Sequence, residues 1–556
     1  MTSFGRNITR ALILGLIATT GAWAQVKLPA IFGDHMVLQG DKTIPVWGTA
    51  SPGEKIKVSL GHDHASVRAD AQGKWRVDLK KIAPSNASLM LTVSGRNKVE
   101  LSDVLIGDVW VASGQSNMEF GIKDADTGQA ALKTANQPMI RLFVVPKRPA
   151  AYPEADIDTK SAASPLQGKW QLCTPETLAN EAPTGFSAVA YFFGRNIQRF
   201  TGKPVGLIAT VWGGSVAESW ISLDGLEKEP TLEPRVLEHK QLLAHYDAAV
   251  AAYPAALADY NVKNKEWTDV SQPQNVAAMK QWQVQADAAT AAGQTEPPKP
   301  KLIDAPVKPD PSGGRDQPTN LFNGMIAPLL PYAIKGVIWY QGEGNGAHGA
   351  AYRATFAALI TDWRSKWNEG DFPFLFVQLP EYHGAWGPVR ESQLHTLSLP
   401  NTGMVVAIDV GLAENVHPPF KEVVGNRLAL VTEHVAYGKD LVYSGPIYSS
   451  MQVQGDAIKL AFDHIGGGLM IGHSPVSGHD FVPAPIDRLV TFTIAGEDKQ
   501  WFPAEAKIEG NTVIVSSPQV PHPVAVRYGW DPPAICNLYN QEGLPASPFR
   551  TDTWLP

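Results

Sequence analysis

The stretch VLIGDVWVASGQSNMEF, residues 104–120, decides how the rest of the chain is read. Val104 to Ala112 is an apolar run of strand length, rich in Val with Ile and Trp. Ser113-Gly114 breaks it, and Gly114 allows a sharp turn. A hydroxyl exposed where a buried strand ends is where an α/β enzyme presents a nucleophile, because such sites open at the carboxyl ends of the strands. Ser116 stands there, and N–H groups at the start of a following helix would face an oxyanion formed on it. Taken alone, the pentapeptide Gly114 to Met118 reads more simply as a helix cap made by Ser116 and Asn117. The downstream chain changes that balance.

Outward from this stretch, strand-like runs alternate with helical patterns: Val205 to Val211, Gly336 to Tyr340, Phe374 to Leu379 and Met404 to Ile408. Continuously apolar strands are buried on both faces, which implies a parallel sheet. Helices are expected over Ser187 to Phe200, Ala350 to Trp367 and Pro419 to Glu433. Residues 101–440 therefore read as a three-layer α/β domain. Residues 224–318 interrupt it with an Ala-rich helical segment and the Pro-rich run EPPKPKLIDAPVKPDP, read as a helical insertion with a stiff return, a spacer before a roof. Residues 25–100 and 441–556 alternate in the β manner between Gly, Pro, Asp and Asn turns, as β-sandwiches do.

The 556 residues exceed one core, and 44% hydrophobic with 18% charged residues fits a globular chain. A net charge of −7 without a basic tract argues against nucleic acid. Residues 1–24 read as a signal peptide: Arg6 and Arg10, the apolar Ala11 to Thr20, then Ala22-Trp23-Ala24 for cleavage. The expected product is exported, periplasmic or secreted, with no membrane span left after processing. Two cysteines, Cys173 and Cys536, make no disulfide framework, and their spacing leaves pairing open. His62-Asp63-His64 reads as a solvated turn, and no metal, nucleotide or other cofactor motif is present.

Three further clusters follow core strands. Trp212-Gly213-Gly214-Ser215 lets a backbone N–H approach a ligand, with Ser215 a lesser nucleophile candidate. Trp339-Tyr340-Gln341-Gly342-Glu343-Gly344-Asn345 offers amide donors at Gln341 and Asn345 and an acid or sugar ligand at Glu343. Glu414-Asn415-Val416-His417 offers a base with a carboxylate three residues before it. A Ser–His pair with a carboxylate and oxyanion donors points to acyl transfer to water. No G-x-S-x-G elbow surrounds Ser116, which disfavours the lipase-type fold.

GQSNMEF, VWGGSVAESW, GVIWYQGEGN and NVHPPFKEVVGNRLAL, in this order, resemble the four blocks of SGNH hydrolases. More closely they resemble the sialate O-acetylesterase family and its relatives acting on acetylated plant polysaccharides. IFGDHMVLQ, PTNLFNGMIAPLLPYAIKG, FDHIGGGL and CNLYNQEGLPASPFRTD extend the likeness over most of the mature chain. The resemblance implies an SGNH-like α/β domain flanked by β-rich domains, Ser116 as nucleophile, His417 as base and Gly214 as the oxyanion glycine. The third block departs from Gly-x-Asn, so Asn345 and Gln341 both stand as side-chain donors beside the Ser116 and Gly214 N–H groups. Glu414 stands where the family has Asp, and the acid is ranked Glu414, then Glu343, then Asp409, with a Ser–His dyad as the remaining case. The expected partner is an O-acetylated glycan, met by Trp212, Trp220, Trp339, Tyr340 and Glu343. Hemicellulose such as xyloglucan or xylan is preferred, because many Trp suit an extended neutral glycan. O-acetylated sialic acid is the alternative; Arg390, in a loop after the fourth strand, is read as a solvated loop charge before a partner for the sialate carboxylate. A non-catalytic carbohydrate-binding protein and a hydrolase of non-sugar esters are the remaining readings.

Overall fold

The computed structural model describes residues 25–181, 183–478 and 482–554, so the expected signal peptide lies outside the described residues. Its centre is a sheet of seven strands, β1 (Lys98–Gly114), β2 (Gln137–Val144), β3 (Trp170–Cys173), β4 (Val205–Val211), β5 (Gly336–Tyr340), β6 (Phe374–Gln378) and β7 (Thr402–Val406). They lie in the order β7-β6-β5-β1-β4-β2-β3. All neighbours are parallel except β3, which runs antiparallel to β2 at the edge. The order reverses at β1, with β4 on one side and β5 on the other. Open α/β sheets bind ligands at such a switch point, beyond the carboxyl ends of the strands.

Both faces are covered, which is why the strands read as unbroken apolar runs. On one face Trp110 of β1 meets Phe193 of α2 (Ala188–Thr201), with ring centroids 5.2 Å apart. On the other, Trp339 of β5 packs with Phe356 and Trp363 of α5 (Tyr352–Trp367). Ser187 caps α2 by accepting from Ala190 N–H at 3.1 Å, and Gly202 ends it in the left-handed region at φ 66°. α6 (Lys421–Val435) crosses α2 at Gly425, where a Cβ would stand 2.7 Å from the Phe192 Cβ. Between β4 and β5 the chain forms α3 (Glu233–Glu266), a short π turn and α4 (Gln272–Ala291).

β1 belongs to two sheets. Its first half pairs antiparallel with the strand Ser85–Ser94, and Val37–Gln39 pairs parallel with Leu105 to Gly107. The strand therefore runs straight through residue 100. Asp63 and His64 open the strand Asp63–Arg68 rather than a turn. After α6 the described residues form two four-stranded sheets and a two-stranded one, all of antiparallel pairs, the first running from Ile447 to Ser516. The two four-stranded sheets meet where Tyr448 stacks on Phe549 at 4.7 Å. Cys173 and Cys536 are both buried and unbonded.

The C-terminal strands are fastened to the central sheet by a buried ion pair. Arg427 of α6 donates to both Asp409 oxygens at 2.7 Å and to Val406 O at 2.8 Å, and the Tyr539 hydroxyl donates to Asp409 Oδ2 at 2.9 Å. Removing one partner strands a buried charge, so Arg427→Leu is expected to cost about 3–5 kcal/mol. Urea unfolding checks this: an unchanged midpoint would refute it.

Candidate active site

β1 ends against β5. The Gln115 N–H donates to Tyr340 O at 3.0 Å, and the Trp212 N–H to Gly114 O at 3.1 Å. The ends of β1, β4 and β5 are in register, Gly114 opposite both Val211 and Tyr340. Three of the four polar blocks thus leave the sheet at one level. Gly114 has φ 133°, and a Cβ there would lie 2.2 Å from Tyr340 O. No side chain fits the turn that presents Ser116.

Ser116 is the first residue of α1 (Ser116–Glu119) and is half-buried; Gln115 occupies the cap position, without a side-chain cap bond. Among the described residues the Ser116 hydroxyl makes no hydrogen bond, so the cap reading does not hold. Asn117, fully buried, joins three segments. Its amide donates to Glu343 Oε1 at 2.5 Å and to Val416 O at 2.9 Å, and its carbonyl accepts from Lys421 Nζ at 2.5 Å. Ser116, the third block and the loop carrying His417 are held together through this one side chain. Lys421 Nζ also lies over the rings of Phe120 and Tyr340, at 4.8 and 5.5 Å.

The electrostatics follow from burial. Lys421 is pushed down to about 7 by desolvation, with Glu343 opposing. Glu343 is pushed up by desolvation, opposed first by the Asn117 amide; its Oε2 is buried without a hydrogen-bond partner. His417, half-buried, is lowered by desolvation and then by Lys421, which favours the neutral, basic imidazole at neutral pH.

Glu414 does not meet His417. The tight turn bridging Leu412 and Asn415 carries its carboxylate to the surface, where it pairs with His383. Asp409 is committed to Arg427, and Glu343 to Asn117. Among the described residues the His417 ring has no hydrogen-bonded carboxylate.

Gly213 lies beside Ser116, a Cβ built on it being 3.3 Å from the Ser116 Cβ. Its N–H donates to Glu119 Oε2 at 2.7 Å, and its carbonyl accepts from Arg315 Nη1 at 2.6 Å. The exposed Gly214 has φ 74°, and neither its N–H nor that of Ser116 has a partner among the described residues.

Gln341 is corrected as an oxyanion donor: its fully buried amide donates to Ser215 O at 3.1 Å and to Asn345 Oδ1 at 2.8 Å. Asn345 donates to Glu218 Oε2 at 2.8 Å, the one acceptor its amide meets among the described residues. Ser215 is fully buried and accepts from Trp220 Nε1 at 2.9 Å, which removes it as a nucleophile. Trp220, Trp339 and Tyr340 are buried in the sheet core and present no face to a sugar; of the four expected aromatics, Trp212 alone is half-exposed. Arg390 is likewise internal, donating to Leu379 O at 3.0 Å and Pro380 O at 2.5 Å.

Asn117, Lys421, Glu119 and Arg315 escaped the sequence reading. Lys421 carried one signal: a cation in the first turn of a helix opposes the helix dipole and needs another reason to be there.

The carbohydrate esterase, sialic acid-specific acetylesterase family matches residues 316–430. A sialate O-acetylesterase of Rattus norvegicus is 26% identical, over 81% of this chain and 82% of its own length. That of Homo sapiens is 25% identical, over 98% of this chain and 97% of its own length. The crystal structure of a carbohydrate acetylesterase from Xanthomonas citri superposes with a TM-score of 0.72 at 35% identity, covering 95% of this chain and all of that one.

Gly114→Ala is expected to destabilise the fold by about 3 kcal/mol, since the β-carbon meets a carbonyl and the φ is unfavourable. Thermal unfolding checks it, and a wild-type Tm would show that the turn tolerates a side chain.

Proposed function

The chain belongs to the sialate O-acetylesterase family of carbohydrate esterases and is a carbohydrate O-acetylesterase; from that premise we propose that Ser116 is its nucleophile and His417 its base. The observation that carries this reading is the Asn117 bridge, which ties the residue after Ser116 to the residue before His417. His417 takes the Ser116 proton as Oγ attacks the acetyl carbonyl carbon. The oxyanion is met by the N–H groups of Ser116 and Gly214 and by the Asn345 amide. The sugar oxygen leaves with the proton from His417. Water then repeats the cycle on the acyl-serine and releases acetate. We read the machinery as a dyad, because Glu414, Glu343 and Asp409 all have other partners.

For the substrate we favour an acetylated hemicellulose, xylan or xyloglucan. The opposing reading, an O-acetylated sialic acid, is favoured by Arg315, which reaches the Gly213-Gly214 turn and would face a sugar carboxylate there. Export through residues 1–24 agrees with either glycan. Among the described residues no helix is long and apolar enough to cross a membrane. The all-β stretches at both ends are proposed to be sandwich-type flanks that brace the hydrolase core.

Acetate release from O-acetylated sialic acid, acetylated xyloglucan, acetylated xylan and an aryl acetate tests the reading. Ser116→Ala should lose at least about 10³-fold in kcat while staying folded, and retained activity would remove Ser116 as nucleophile. Glu414→Gln should change kcat by less than about threefold, whereas losing a triad acid costs on the order of 10⁴. kcat/KM should rise with pH through a midpoint below the ordinary histidine value of about 6.5, because burial disfavours the imidazolium. A midpoint above 7 would contradict the assignment of His417.

A further inference from the structure

We propose that the cleft between loop 147–154, helix α3 and the proline-rich return is a glycan subsite. It would take the neutral sugar units that continue from the acetylated one. The inference rests on the reading of Ser116 as nucleophile and deepens it. The cleft measures about 460 Å³, within the range of ligand sites, and is lined by Lys147, Arg148, Tyr152, Tyr246, Tyr253 and Lys308, among others.

Its aromatic wall comes from the insertion. Tyr246 and Tyr253 are seven residues, two turns, apart on α3 and so share one face. α3 stands away from the core, with Val236 and His239 its buried residues. Tyr246 and Tyr253 are nevertheless half-covered, by the cleft they line. Tyr246 meets Tyr152 edge-on at 5.5 Å and 81°, and Tyr152 remains 53% exposed. Flat aromatic faces pack against the C–H faces of pyranose rings, and a polar rim hydrogen-bonds the hydroxyls.

The cleft is linked to the surroundings of the nucleophile through Lys147. Lys147 lines it and pairs with Glu119 at 2.5 Å, with its ammonium 5.7 Å from the centre of the Trp212 ring. Glu119 in turn accepts from Gly213, which lies against Ser116. A chain whose acetyl group sits at Ser116 would run over Trp212 and Lys147 into the cleft. The charges there are close to balanced, which suits neutral sugar. Lys147 is paired, Arg148 faces Glu154 and Asp158 at 3.9 and 3.8 Å, and Lys308 and Asp310 bring one charge of each sign to the lining.

The test is calorimetric titration of unacetylated xylohexaose, a xyloglucan-derived nonasaccharide and free sialic acid into the full chain. Tyr246→Ala, Tyr253→Ala and Tyr152→Ala are compared with the unsubstituted protein; Tyr152 lies outside the insertion and guards against a helix that fails to fold. Either neutral oligosaccharide should bind more tightly than sialic acid, and each substitution should weaken it about tenfold, near 1.4 kcal/mol. The ratio of KM on the acetylated oligosaccharide to KM on an aryl acetate should rise by a similar factor. Unchanged dissociation constants in all three variants, no oligosaccharide binding, or tighter binding of sialic acid would each overturn the proposal. If Ser116→Ala retains activity while the tyrosines still govern binding, the nucleophile is wrong and the subsite stands.

Discussion

The site depends on the Asn117 carboxamide. Its two N–H groups and its carbonyl are all used, on a carboxylate, a main-chain carbonyl and an ammonium drawn from segments more than 200 residues away. A buried amide with every hydrogen bond satisfied is costly to disturb, because any movement leaves a polar group unpaired in a low dielectric. The neighbours of Asn117 in sequence inherit this rigidity. Ser116 is fixed by the residue after it, and His417 by the carbonyl before it.

The charges around Asn117 come from one side of the point where the sheet order reverses. Lys421 and Glu343 are brought in by the helix after β7 and the loop after β5, strands on one side of β1. Burial drives Lys421 toward neutrality and Glu343 toward protonation, so desolvation weakens both charges and their mutual attraction opposes it. Asn117 lies between them and accepts from one while donating to the other. Lys421 also reaches His417, where its charge adds to burial in favouring the neutral imidazole.

The strands that carry the site were legible because they are buried on both faces. β4 and β5 match the apolar runs Val205 to Val211 and Gly336 to Tyr340 residue for residue. The same burial misleads about the aromatics. A residue at the end of a half-exposed strand would have a free face, but Trp339 and Tyr340 lie in a sheet covered on both sides. β2, QPMIRLFV, escaped because Pro138 and Arg141 interrupt its apolar pattern, and β3 because it has only four residues. Glu414 shows the limit of spacing arguments. Three residues separate it from His417, yet the turn between Leu412 and Asn415 decides the direction of the carboxylate, and no local pattern encodes that.

An acetyl group offers an enzyme little to recognise. A methyl in a pocket is worth about 1–3 kcal/mol of discrimination, so the choice among acetyl esters must come from contacts remote from the carbonyl. The central sheet supplies few of these, since its aromatic residues are committed to the core. Trp212 and Phe120 remain half-exposed near Ser116, and Lys147 joins Trp212 to the surface between loop 147–154 and α3. The polar blocks around Ser116 are set by a buried amide and two buried charges that tolerate little change. The insertion meets that frame at Val236 and His239, near the start of α3, so sequence change further along α3 can alter the sugar without disturbing Asn117.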